Sequence, residues 1–341
     1  NIGLELGFFN NRLNLTAEYY NRRIVDLLSS RPLQSYQEIG SIMDNIGETQ
    51  SKGFELTVNS QNITTKDWDW STDLTFSFYR DRWKKRSPFW KPAVYQRTND
   101  YIRSSFGYLS DGIIQPGENV PHMPGAIPGQ VKIKDLDGFK RNSDGSFAVD
   151  ENGRFIKTGQ PDGIIDEADI VPYGKNDPGY LVGFNNTVRW KNFDLNIYFY
   201  GLFDNPKYGS YQDLWLTGTN NMTGIINMYR GYNMPNTAKS VWTHDNPSAD
   251  RPGYFQDTSS YGIGDFYKQN AWFIRCRNIT LGYSFDALPK IFSKLRIYAD
   301  VNNPFVITKY KGLDPEFTNE GIDNNIYPRP RTFLLGVSYN F

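Results

Sequence analysis

Arg331-Thr-Phe-Leu-Leu-Gly-Val-Ser-Tyr-Asn-Phe341 closes the chain, and its reading decides the fold. Phe333, Leu335, Val337, Tyr339 and Phe341 occupy alternate positions, so a β-strand sets all five on one face. Thr332, Leu334, Gly336, Ser338 and Asn340 fall on the other, small or polar apart from one Leu. An apolar outer face, a mixed inner face and an aromatic at the strand end suit a transmembrane β-barrel strand. The last strand of a soluble sheet alternates in the same way, so this segment alone leaves both readings open.

Composition favours the barrel. Aromatics make up 16% of the chain, with 23 Tyr, 23 Phe and 8 Trp. Mean hydropathy is nevertheless -0.60, and no run approaches the roughly 20 apolar residues of a membrane helix. A chain this aromatic and this polar must alternate its apolar groups. Lys+Arg and Asp+Glu both number 37, which gives no net field to attract nucleic acid. Cys276 is the one cysteine, excluding an intrachain disulfide framework. His122 and His244 lie too far apart in sequence for a local zinc motif.

Working outward, period-two segments are joined by turn residues. Leu4 to Phe9 and Leu13 to Tyr20 flank Asn10-Asn11, Gly53 to Asn59 and Trp68 to Tyr79 flank Ser60 to Asp67, and Leu181 to Trp190 meets Phe193 to Tyr200 at Lys191-Asn192. Phe273 to Phe285, Leu295 to Asn302 and Arg331 to Phe341 complete the set, and further strands around Ile102 to Ile114 bring the expectation to about ten. Gln115 to Asn176 and Leu202 to Asn270 are long and irregular, rich in Gly, Pro, Asn, Asp and Tyr. Tight turns alternating with very long loops are the asymmetry of an outer-membrane barrel. Loops of this length are uncommon in a compact soluble domain.

Specific residues then carry a resemblance. Phe273-Ile-Arg-Cys-Arg-Asn-Ile-Thr-Leu-Gly-Tyr283, Leu295-Arg-Ile-Tyr298, Tyr310-Lys-Gly-Leu-Asp-Pro-Glu316 and Tyr327-Pro-Arg-Pro-Arg331, ahead of Phe341, resemble the end of the SusC/RagA-type TonB-dependent outer-membrane transporters. Arg12-Leu-Asn-Leu before Tyr19-Tyr20, Asp26-Leu27-Leu28, Asn45-Ile-Gly-Glu48, Lys52-Gly-Phe-Glu55 and Gly183 agree, so the resemblance spans nearly the whole chain. It implies an all-β fold: the C-terminal portion, residues 1–341, of a large antiparallel transmembrane barrel with extracellular loops at 115–176 and 202–270. The family's barrel has about 22 strands and is filled by an N-terminal plug that bears the TonB-contacting segment. Neither is recognisable here. With no initiator Met and a strand pattern from Asn1, the chain is expected to start inside a longer protein.

The resemblance also implies function and partners. A SusD-like surface lipoprotein covers the barrel, a glycan or oligopeptide is captured, and the TonB complex drives import across the outer membrane. Pairs of transporter and lipoprotein form dimers in the family. A SusC-like barrel recruited as a scaffold in another outer-membrane complex is the alternative.

Several motifs bear on chemistry. Asp135-Leu-Asp137-Gly138 and Asp162-Gly-Ile-Ile-Asp166-Glu-Ala-Asp169, joined end to end, have oxygen donors at EF-hand-like spacing for Ca²⁺. Phe139 to Pro161 interrupts them. The insertion either loops out on the turns Asn142-Ser-Asp-Gly145 and Asp150-Glu-Asn-Gly153 or separates the carboxylates, leaving a bound metal and a hydrogen-bonded acidic turn as the two readings. Asp314 and Glu316 flank Pro315 and read as a turn rather than a catalytic pair. His244 beside Asp245 has no nucleophile elbow for company, and loop packing or a lipoprotein contact is expected of it. No enzyme is expected. Arg275 and Arg277 should share an inward face, because lipid is costly for charge, and pairing with plug or barrel carboxylates is expected ahead of direct ligand contact. Tyr208, Tyr211, Trp215, Tyr229, Tyr232 and Trp242 form the candidate ligand-facing zone, exposed rings being suited to stacking on sugars or gripping peptide side chains. Packing of the loops against one another, or contact with the lipoprotein lid, is the competing role for each.

Overall fold

The computed structural model describes residues 1–33, 40–88, 90–151, 153–207, 236–255, 259–285, 294–316 and 327–340. Its strands are β1 (Ile2–Phe8), β2 (Leu13–Pro32), β3 (Ser41–Thr64), β4 (Trp68–Lys85), β5 (Ser104–Gly107), β6 (Ser110–Ile113), β7 (Val131–Ile133), β8 (Val171–Lys175), β9 (Tyr180–Trp190), β10 (Phe193–Phe203), β11 (Pro206–Lys207), β12 (Gln269–Asn270), β13 (Phe273–Phe285), β14 (Lys294–Thr308) and β15 (Thr332–Asn340). Nine of them form one antiparallel sheet in the order β1-β2-β3-β4-β9-β10-β13-β14-β15. Among the described residues this agrees with the expected count of about ten. The segment around Ile102 to Ile114 stands outside this sheet, where β5 pairs with β8 and β6 with β7. Among the described residues no helix is long and apolar enough to cross a membrane, and strands do that work in a barrel.

The turns explain the hairpins. Phe9, Asn10 and Asn11 all have positive φ (54°, 57° and 61°), a conformation Asn tolerates better than most residues, and they close β1 onto β2. Lys191, φ 51°, turns β9 into β10. β3 runs on to Thr64, so the polar link expected over Ser60 to Asp67 shrinks to the three residues before Trp68.

Cross-strand register carries one face across the whole sheet. Tyr339, Val337, Leu335 and Phe333 lie opposite Leu295, Ile297, Ala299 and Val301, which lie opposite Phe285, Tyr283, Leu281 and Ile279. The row continues through Phe193, Leu195 and Ile197 to Trp190 and Val188, then Trp68 and Trp70. Leu335, on this face, is 78% exposed. The opposite face bears Asp194, Asn196, Asp73, Asn185, Thr280 and Asp300 at the intervening positions.

Aromatic rings mark two levels on the apolar face. Trp68 packs on Trp190 (5.6 Å), Trp190 on Phe193 (5.9 Å), Phe193 on Tyr283 (4.7 Å) and Tyr283 on Phe285 (4.8 Å), a continuous row beside the short turns. At the other end Phe54, Phe78 and Tyr180 are in contact, as are Phe203 and Trp272. Trp68 to Phe78, Trp190 to Tyr180 and Phe193 to Phe203 are each about ten residue steps, roughly 33 Å of strand, or about 25 Å of height at a tilt near 40°. That height matches the apolar band of an outer-membrane barrel.

β1 and β15 are the sheet's edges. In lipid an open edge leaves backbone groups unsatisfied at several kcal/mol each, so closure of the barrel calls for strands beyond these nine.

Candidate functional site

The long connections gather at the end of the sheet away from the tight turns. They are not structureless. Ile114, Met123, Val131 and Ile133 form a buried core with Tyr108, Ile165, Ile263 and Phe266 packed around it, joining the two long loop regions in one lobe. Asp265 ties them again, accepting from Ser110 N (2.7 Å) and Ser110 Oγ (2.8 Å).

Trp242 belongs to this packing, which corrects its place among the exposed, ligand-facing rings. It is 1% exposed and lies edge-on to His244 (5.1 Å) and Phe255 (6.0 Å). The reason is Gly129, at φ +92°, where a Cβ would come within 2.4 Å of the Trp242 ring. A ring can lie against this backbone only because no side chain intervenes. Gly129→Ala is expected to cost about 1–3 kcal/mol through overpacking. Limited proteolysis should show lobe cleavage rising while the barrel resists. Tyr208, Tyr211, Trp215, Tyr229 and Tyr232 lie outside the described residues.

The turn reading of Asp314 and Glu316 acquires a purpose. Arg275 Nη2 donates to Asp314 Oδ1 at 2.5 Å, and Arg275 Nε lies 3.1 Å from Glu316 Oε2 but off hydrogen-bonding alignment. Arg329 Nη2 donates to Glu316 Oε1 at 2.5 Å, and the Tyr200 hydroxyl donates to Glu316 Oε2. Asp314 caps its own turn by accepting from Glu316 N (3.0 Å). Arg275 and Asp314 are both buried. The network clamps the β14–β15 connection onto β10 and β13 at the rim of the sheet. Asn205 extends it, donating from Nδ2 to Ala271 O (3.0 Å) and Pro315 O (3.3 Å). Sequence reading found the Arg and both carboxylates but missed Tyr200, Asn205 and Arg329, whose signals are single polar residues at strand ends.

The expected shared face of Arg275 and Arg277 is corrected. A bulge falls between Cys276 and Asn278, where Asn303 on the facing strand has φ 51°, so simple alternation stops there. Arg277 hydrogen-bonds Asn303 Oδ1 (3.1 Å) instead of a carboxylate.

In the acidic segment the insertion loops out as a three-stranded meander with bridges Phe139–Lys157, Arg141–Phe147 and Val149–Phe155. Phe139, Phe147 and Phe155 pack together at 5.1–5.4 Å. This brings the two acidic halves side by side, yet their oxygens are taken up by amides. Asp135 accepts from Gly163 N (2.7 Å), Asp137 from Gly138 N and Gly159 N, Asp162 from Ile164 N, and Asp166 from Ala168 N. Buried Asp169 accepts from Leu136 N (2.6 Å), Asp137 N and Asp166 N. Burial first, then the neighbouring Asp169 and Asp162, pushes the Asp166 carboxyl up. Among the described residues no three acidic, His or Cys groups converge to hold a metal.

Between lobe and sheet lies a cavity of about 600 Å³ lined by Phe78, Arg80, Tyr101, Tyr173, Lys175, Tyr180, Asp204 and Lys268, among others. Lys175 donates to Tyr79 O (2.8 Å) and Pro178 O (3.1 Å), and Lys268 to Tyr173 O (3.0 Å). Burial lowers the pKa of both ammonium groups. These lysines hold the lobe to the sheet through backbone carbonyls and aromatic faces.

The polar face offers a wall for protein or solute. Asp194 takes Arg296 in a two-pronged pair (2.9 and 2.5 Å). Asp73 accepts from Asn59 (2.8 Å) and Asn185 (3.3 Å), and Asp300 accepts from Asn278, Thr280 and Asn302.

Comparison with known proteins agrees with this architecture. Residues 1–125 match the family described as TonB dependent receptor-like, beta-barrel. The whole chain aligns with the TonB-dependent receptor SusC of Bacteroides thetaiotaomicron at 32% identity, covering 31% of that protein. It aligns with the TonB-dependent receptor P3 of Formosa agariphila at 29% identity, covering 33%. Among solved structures, the RagAB peptide transporter superposes with a TM-score of 0.72 at 21% identity, over 99% of this chain and 34% of that one. The chain therefore spans about a third of the length of the relatives it matches.

Proposed function

We propose that this chain, which belongs to the TonB-dependent receptor-like β-barrels of the bacterial outer membrane, is part of a transporter rather than an enzyme, and that the protein containing it imports an oligomeric nutrient, a glycan or an oligopeptide. The observation that carries the reading is similarity of the whole of this chain to about a third of SusC, joined to a sheet whose outer face fits lipid and whose inner face is lined with carboxylates and amides. The polar face supplies hydrogen bonds for a plug domain contributed by other parts of the protein. The loop lobe, with its own core, supplies a preformed platform at the barrel mouth. A SusD-like lipoprotein is the partner proposed for that platform, with the TonB complex as the source of energy. Transporter and lipoprotein pairs are proposed to associate as dimers.

The test is purification of the full-length protein from outer membranes in mild detergent, with mass spectrometry of every bound chain. A surface lipoprotein is expected, together with loss of growth on one class of oligomer when the gene is deleted. Co-purification with assembly or secretion components and unchanged growth on all glycans and peptides would replace import by the scaffold role.

A further inference from the structure

β2, β3 and β4 have 20, 24 and 18 residues, far more than the 9–11 that cross a bilayer. They continue past the upper aromatic level on the lobe side. On the apolar face Tyr19, Phe54 and Phe78 share one level. One outward step further, about 7 Å up the strands, Lys52 lies directly opposite Arg80, followed by Gln50 opposite Arg82. Apolar Leu56, Phe76, Val58 and Leu74 lie below on the same two strands.

This arrangement is electrostatically unbalanced. A groove of about 350 Å³ is lined by Lys52, Arg80, Arg82 and Lys84, with Tyr19 and Phe78 in its wall and no carboxylate. Glu48, one strand position away, is already gripped by Arg23 through both oxygens (2.5 and 2.7 Å). Arg82 is steadied by Asn99 O (2.9 Å) and the Tyr101 ring. Like charges directly opposite on paired strands repel, and Lys52 and Arg80 carry that repulsion at the height where a bilayer turns from acyl chain to headgroup. Simple snorkelling of long side chains would spread such cations around the sheet. Here they cluster on two adjacent strands above an aromatic floor.

We propose that this outward groove binds the phosphate of an outer-leaflet lipid, a phosphorylated glycolipid whose acyl chains run down over Phe78, Phe76 and Leu74. Arg80 and Lys52 supply charge-assisted hydrogen bonds to the phosphate oxygens, and the anion relieves their mutual repulsion.

The test uses the full-length protein in detergent with diphosphoryl lipid A and its dephosphorylated form as probes, read by native mass spectrometry and thermal melting. The diphosphoryl form is expected to give a retained adduct and a higher Tm, and the dephosphorylated form neither. Lys52→Gln with Arg80→Gln should weaken apparent affinity at least about tenfold, two charged hydrogen bonds being removed. Without lipid the same double variant should melt no lower than the parent, because it removes a repulsive pair. Equal binding of the two lipids, undiminished binding by the variant, or a lower lipid-free Tm would each overturn the proposal. So would equal protection by inorganic phosphate alone, or an acidic protein held at this face in place of lipid.

Discussion

Arg275→Ala in the full-length protein is expected to lower stability by about 3–5 kcal/mol, the cost of removing one partner from a buried ion pair. The size follows from what remains. Asp314, buried at 5% exposure, keeps its hydrogen bonds from Glu316 N and Arg329 N but loses its ion pair with Arg275. Glu316 retains Arg329 and the Tyr200 hydroxyl, so the deficit centres on Asp314. Arg275→Lys should recover only part of the loss, since an ammonium cannot address both carboxylates with the planar fork of a guanidinium. Adding Asp314→Asn to Arg275→Ala should recover more, because it removes the stranded charge. Heat-modifiable mobility on gels, which separates folded from unfolded barrel, measures all three variants. If Arg275→Ala and the parent unfold at the same temperature, the clamp is dispensable.

What the sequence made legible followed from periodicity. Phe333, Leu335, Val337 and Tyr339 read as an outer face because a strand bordered by lipid must alternate, and that rule carries the apolar face from β15 to β1 between bulges such as the one at Cys276–Asn278. Turn chemistry was equally readable at Asn10-Asn11 and in the Gly145 and Gly153 turns of the inserted meander. Phe341 lies outside the described residues. The misreadings share one cause, dependence on a residue far away in sequence. Trp242 is buried because Gly129 leaves room for it. Arg277 departs from alternation because Asn303, on the next strand, adopts a left-handed backbone opposite the bulge. The carboxylates of Asp135 and Asp137 turn to amides of residues 159–163, brought near only once the intervening meander has folded out. The Lys52 and Arg80 pair escaped notice because neither strand alone shows what its basic residues stand opposite. Their opposition exists only in the register.

The face assignment makes the sharpest use of that register at Leu74 and Thr75, adjacent residues of β4 on opposite sides of the sheet. Leu74 lies midway between Trp68 and Phe78 on the apolar face, opposite Val58 on one neighbour and Phe184 on the other. Arg at this depth should cost about 2–4 kcal/mol, because a guanidinium near the bilayer midplane must reach water past a band of Leu, Val and Phe. Thr75 is exposed on the polar face, opposite Thr57 and Gly183. There the same substitution meets an aqueous or protein-lined interior and should stay within about 1 kcal/mol of the parent, since charge on the lumen side tunes selectivity rather than stability. Leu74→Arg should therefore deplete surface-exposed full-length protein and lower its unfolding temperature, while Thr75→Arg should assemble at normal levels. The comparison holds residue type, strand and depth nearly constant and varies only the side of the sheet. Equal damage at the two positions would mean that the apolar face does not meet lipid, and a larger loss at Thr75 would place the membrane on the face now assigned to the lumen.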